Sequence, residues 1–332
     1  MKIFYTLLLI ICSLHTSSQS VKNVRKAILE IAKDETTDAF YILNKVGDYN
    51  FEKFAKSNDL EEIIKSFGTV VHESCHILNS LNWEKEWDET GKTVIEFYIT
   101  DDIQIPVIQR KLFNSRKLNK TVPDSLQKKM FRYSDYIGKK HLTGISSQND
   151  GIYGILDEFC AYYHGTKAKL ELYDYYYKKC NGFNKPNVWA DYFSGIGNTH
   201  FAYYEFNLFI VWYLQYAQKY EKEIYTDILN NYDLRAAYTL LDQLWQELFT
   251  KYYKRLDEVI EGLNKNGIHA EIKKVVNTTC FRYQRTKKRY SGKSIFEDEI
   301  IWLKTIHDKQ DFQLLEKFKL NNCKLDNYKT RK

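Results

Sequence analysis

Thr69-Val70-Val71-His72-Glu73-Ser74-Cys75-His76-Ile77-Leu78 is the stretch from which the rest of the chain can be read. It has the form H-E-x-x-H. Four residues are a little over one helical turn, so on a helix His72 and His76 stand on one face with both rings directed at one point. Two imidazole nitrogens sharing a point are what a Zn2+ site needs. Glu73, one residue on, is placed to act on a water without itself binding the metal. No flanking residue in this stretch is charged except Glu73, which suits a helix buried under a site floor.

Outward from the motif, the pattern is mainly α. Residues 21–47 and 51–66 read as amphipathic helices, with Val24, Ala27, Ile28 and Ile31 at helical spacing, and 69–81 continues as another. The period then changes. Thr93 to Thr100 is rich in β-branched and aromatic residues. Asp101-Asp102 turns the chain, and 103–108 returns as a partner whose Pro106 marks an edge, giving a small β-hairpin near 93–108. Residues 109–151 are polar and mixed. Ile152 to about Lys179 reads as helix, and Asn198-Thr199 as the cap of a helix from His200 to about Tyr220. Further helices are expected over 232–265 and 295–320, while 268–283 fits strand or helix. With 3 prolines in 332 residues, long helices meet few interruptions.

The amino terminus reads as a secretory signal peptide: Lys2, an apolar run over residues 3–14, then the small-residue exit Ser17-Ser18-Gln19-Ser20. The run is shorter than the roughly 20 residues of a membrane span. This predicts a leader at 1–20 and one catalytic domain over 21–332, secreted or periplasmic. No later stretch reads as a transmembrane segment. Five cysteines then remain, so at least one is unpaired within the chain, and no Cys-x-x-Cys metal spacing occurs. The net charge of +6 is diffuse apart from Arg285-Thr286-Lys287-Lys288-Arg289, and no nucleic-acid motif accompanies that run. A nucleic-acid partner is not expected.

The stretch 69–78 resembles the signature of the zincin metallopeptidases. Metzincins continue the motif with a Gly and a third His, but those positions are Asn79 and Asn82 here. The resemblance is therefore to the gluzincin branch, which takes its third ligand from a Glu on a later helix. Glu158, in Gly154-Ile155-Leu156-Asp157-Glu158-Phe159-Cys160-Ala161-Tyr162, is the best match, because a carboxylate among apolar neighbours is costly unless paired or metal-bound. Glu205 and His164 are its rivals. Glu205, the only charge from His200 to Tyr216, reads first as the acid holding the free ring nitrogen of a zinc histidine. His200, with Tyr203 and His164 as alternatives, is the candidate donor to a developing oxyanion. Cys75 and Cys160 are expected near the metal helices without binding the ion.

What the resemblance implies is a zinc metallopeptidase: Zn2+ on His72, His76 and Glu158, a water activated by Glu73, and a peptide or protein as substrate. The strand at 93–100 offers a candidate edge for an extended peptide. The competing class is a non-catalytic exported binding or surface protein with a structural zinc site, which would have no use for Glu73. A di-iron carboxylate bundle needs a second Glu-x-x-His, and the sequence has none.

Overall fold

The motif lies on a long helix, as its spacing predicts, and that helix is longer than expected. The computed structural model describes residues 22–82, 87–89, 91–138, 144–286, 289–309 and 312–329. The leader read at 1–20 lies outside them. The first helices are α1 (Val24–Glu35) and α2 (Thr37–Lys45), followed by a 3-10 turn at Phe51–Ala55. Helix α3 (Leu60–Ser80) then runs unbroken through the two segments that the sequence reading separates at 66–69. Asp59 caps it, accepting hydrogen bonds from the backbone N–H groups of Glu61 and Glu62, and these two acids complement the helix dipole. Its buried face carries Ile63, Ile64, Phe67, Val70, Val71, Cys75 and Leu78.

The hairpin forms as expected. Strands β1 (Val94–Thr100) and β2 (Ile103–Ile108) pair antiparallel, with Phe97 opposite Ile105 and Pro106 opposite Glu96. Short helical turns follow at Ser115–Lys120, Asp124–Lys129, Tyr133–Tyr136 and Ser146–Asn149. Helix α4 (Gly151–Glu171) is buried along nearly its whole length and packs on α3. It is followed by α5 (Tyr173–Lys179), α6 (Pro186–His200), α7 (Ala202–Tyr220), α8 (Lys222–Leu229) and the 34-residue α9 (Tyr232–Lys265). Segment 268–283, open between strand and helix in the sequence, is strand. Strands β3 (Ala270–Val275), β4 (Thr278–Thr286) and β5 (Arg289–Ser294) form an antiparallel sheet in that order. Helices α10 (Glu297–Lys309) and α11 (Gln313–Phe318) follow, and after them a single helical turn at Asp326–Lys329. Among the described residues no helix is long and apolar enough to cross a membrane.

Two glycines set how α3 meets α4. A Cβ on Gly68 would lie 2.7 Å from the Gly165 carbonyl, and one on Gly165 would lie 2.6 Å from the Gly68 carbonyl and 3.1 Å from His72 Cβ. The backbones therefore touch where any side chain would wedge them apart. The helices run antiparallel, so His72 and His76, further along α3, are laid against the earlier turns of α4 that carry Asp157 and Glu158.

Candidate metal centre

Three donors converge at this crossing. His76 Nε2 lies 3.2 Å from His72 Nε2, and Glu158 Oε2 lies 3.3 Å from His76 Nε2 and 3.5 Å from His72 Nε2. Tetrahedral ligands bound at 2.0–2.2 Å stand about 3.3–3.6 Å from one another, so the three atoms have the mutual spacing of ligands to one ion. Glu158 is 7% exposed, and its Oε2 has no hydrogen-bond partner. A buried carboxylate oxygen with no donor is costly unless a cation completes it. The residues present therefore fit Zn2+.

The electrostatics agree. Burial opposes ionisation of Glu158, yet His76 and His72 outweigh it and hold the carboxyl down at about 2. Burial likewise opposes a charged His76, but the carboxylates of Asp157 and Glu158 raise its pKa well above the usual imidazole value. In both cases the surroundings favour a positive charge among the three donors.

His76 is oriented by Asp157. Its Nδ1–H donates to Asp157 Oδ2 at 2.6 Å, which directs Nε2 at the shared point, where a metal ion would take the place of the Nε2 proton. Asn79 Nδ2 donates to the other oxygen, Asp157 Oδ1, at 2.7 Å, and Asn79 Oδ1 accepts from the Tyr98 N–H at 3.0 Å. Strand, motif helix and α4 are thus tied together through Asn79, which stands where a metzincin would carry Gly.

Glu205 does something else. It accepts from Arg132 Nη1 at 2.8 Å and from the Arg132 backbone N–H at 3.2 Å, and both side chains are almost fully buried. The orienting acid is Asp157, immediately before Glu158, and not Glu205. His164 is also drawn elsewhere: its Nε2–H donates to the Tyr98 carbonyl at 2.9 Å. The Cys160 thiol points at the same carbonyl, and its sulfur lies 3.9 Å from that of Cys75. Cys75, Cys160 and His164 make a second, fully buried group of donors, distinct from the first.

His200 and Tyr203 do not reach the centre. Residues Asn198 and Thr199 are the last turn of α6, which Pro186 starts, so His200 ends a helix and does not begin one. It is 1% exposed, stacks on Phe249 at 4.1 Å, and burial pushes its pKa down to about 3. Tyr203 donates to Asp242 Oδ1 and accepts from Gln246 Nε2, each at 2.6 Å, within the packing of α7 on α9. The hydroxyls beside the centre are those of Tyr136 and Tyr162, 2.9 Å apart, with the Tyr162 ring 4.5 Å from that of His72. The β1 edge at Tyr98 is likewise taken, since Asn79, His164 and Cys160 occupy its backbone groups.

A cavity of about 230 Å3 opens against the centre, walled by His72, Glu73, Arg132, Tyr136, Tyr162 and Lys169 among others. Glu73 lies on this wall, a step of about 100° around α3 from His72. No family model matches the chain, and no curated protein or solved structure matches it.

Proposed function

We propose that the chain is an exported zinc-dependent hydrolase acting on peptide bonds. The observation that carries this reading is the convergence of His72 Nε2, His76 Nε2 and Glu158 Oε2, which makes no hydrogen bond, beside a cavity walled by Glu73. Zn2+ held there would supply Lewis acidity, polarising a carbonyl and making a water acidic enough to be deprotonated near neutral pH. Glu73 is the base. Its carboxylate takes the proton as the water oxygen bonds to the carbonyl carbon, and returns it to the amine nitrogen as the C–N bond breaks. Asp157 keeps the His76 tautomer fixed through these steps. The paired hydroxyls of Tyr136 and Tyr162 are the groups best placed to donate to the carbonyl oxygen as it gains charge. Glu73 on a cavity wall also separates this reading from a purely structural zinc site, which is closed.

The experiment is hydrolysis of a mixed peptide library by the zinc-loaded protein. Cleavage should disappear on chelation and return when zinc is restored. Cleavage indifferent to chelation, or none at any zinc level, would overturn the reading.

A further inference from the structure

The cavity at Glu73 adjoins a larger hollow of about 490 Å3 beside α4 and α6, and Lys169 and Asn198 line both. The cations on the two walls fall into two kinds. Arg132 is paired with Glu205 at 2.8 Å, Lys65 with Glu62 at 2.7 Å, Lys179 with Glu61 at 3.4 Å, and Lys293 with Asp191 at 3.2 Å. Lys169 differs: among the described residues no carboxylate pairs with it, and its Nζ donates only to the Gly195 carbonyl, at 3.3 Å.

Lys169 is also held in place. A Cβ at Gly68 would lie 2.5 Å from Lys169 Cε and 2.6 Å from its Cγ, so the missing side chain of Gly68 is the slot in which the lysine stem lies. Gly68 is one turn before His72 on α3. On α4, Lys169 follows Glu158 by eleven residues, three turns along the same face and about 16 Å along the axis. A helical side chain leans towards the N-terminus, here towards Glu158, which shortens that separation. Burial of the stem, with Arg132 nearby, depresses the Lys169 ammonium to about 8, the direction expected where no carboxylate offsets a like charge.

We infer that Lys169 receives a carboxylate of the substrate, so that the cleft selects peptides carrying a negative charge within roughly four residues of the bond to be cut, at about 3.3 Å per extended residue. The carboxylate is that of an Asp or Glu side chain or of the chain terminus. The inference rests on the peptide-hydrolase reading for its substrate, but its test also reads binding alone.

Two versions of a random peptide library, one with free and one with amidated C-termini, are digested by the zinc-loaded protein. Each is also passed over immobilised Glu73→Gln protein, and bound peptides are identified by mass spectrometry. Cleaved and retained peptides should both be enriched in carboxylates near the scissile position. If the enrichment survives amidation, the carboxylate is a side chain; if it vanishes, it is the terminus. Lys169→Ala should lower affinity for the selected peptides about 10- to 100-fold, the weight of a hydrogen bond to a charged group, with little change in affinity for uncharged ones. Lys169→Arg should keep the preference, and Lys169→Glu should turn it towards basic peptides. Cleavage without charge preference would overturn this inference and leave the hydrolase reading standing. Retention of acidic peptides through Lys169 with no cleavage by the wild type would do the reverse.

Discussion

Glu73→Gln is expected to keep zinc at near one equivalent while peptide hydrolysis falls by about 10²- to 10⁴-fold, the contribution typical of a positioned general base. The amide has the shape of the carboxylate and leaves all three converging donors untouched, so metal content should not follow activity. Only the proton acceptor is lost. The two readouts must therefore separate: zinc by elemental analysis unchanged, kcat collapsed. A variant that cleaves peptides at a comparable rate would remove Glu73 from the chemistry. One that loses zinc along with activity would make Glu73 a support of the metal site.

The second large effect is on stability. Glu205→Ala deletes the partner of an arginine that is itself 3% exposed, and breaking a buried ion pair by removing one member costs about 3–5 kcal/mol. The Arg132 side chain, also bonded to the Asn198 carbonyl, would be left charged in the core beside the rings of Tyr162 and Phe201. A marked fall in the denaturant midpoint is expected. Arg132→Met combined with Glu205→Leu should recover much of it, because apolar replacement of both partners avoids the orphaned charge. Zinc affinity of the folded Glu205→Ala protein should change little, since Glu205 touches none of the donors. A stable variant that loses zinc would return Glu205 to the metal centre.

The contrast between Asp157 and Glu205 shows where sequence reading stops. Both are acids in apolar surroundings, and that signal cannot say which way either faces. The answer depends on how α4 is rotated against α3, and the Gly68–Gly165 contact sets that rotation. Nothing in a one-dimensional pattern distinguishes those two glycines from others. The H-E-x-x-H pair was legible because its geometry is local to one helix. Glu158 was legible because a buried carboxylate must be compensated, and the hairpin because its β-branched run ends at Asp101-Asp102. His200 and Tyr203 were misplaced by a helix boundary. Asn198-Thr199 has the residues of an N-cap, but Pro186 begins the helix that ends there, so His200 is turned into the core against Phe249. The helix of 60–80 reads as two segments in the sequence, and 232–265 as one or two helices, because the pattern alone does not show that each runs unbroken.

Everything proposed for this chain depends on His72, His76 and Glu158 holding one zinc ion. Anomalous scattering at the zinc edge, from crystals of the metal-loaded protein, tests it most directly. A single strong peak is expected about 2.0–2.2 Å from His72 Nε2, His76 Nε2 and a Glu158 oxygen, and it should vanish in Glu158→Ala. A peak seated on Cys75, Cys160 and His164 instead, or none between the two motif histidines and Glu158, would contradict the account.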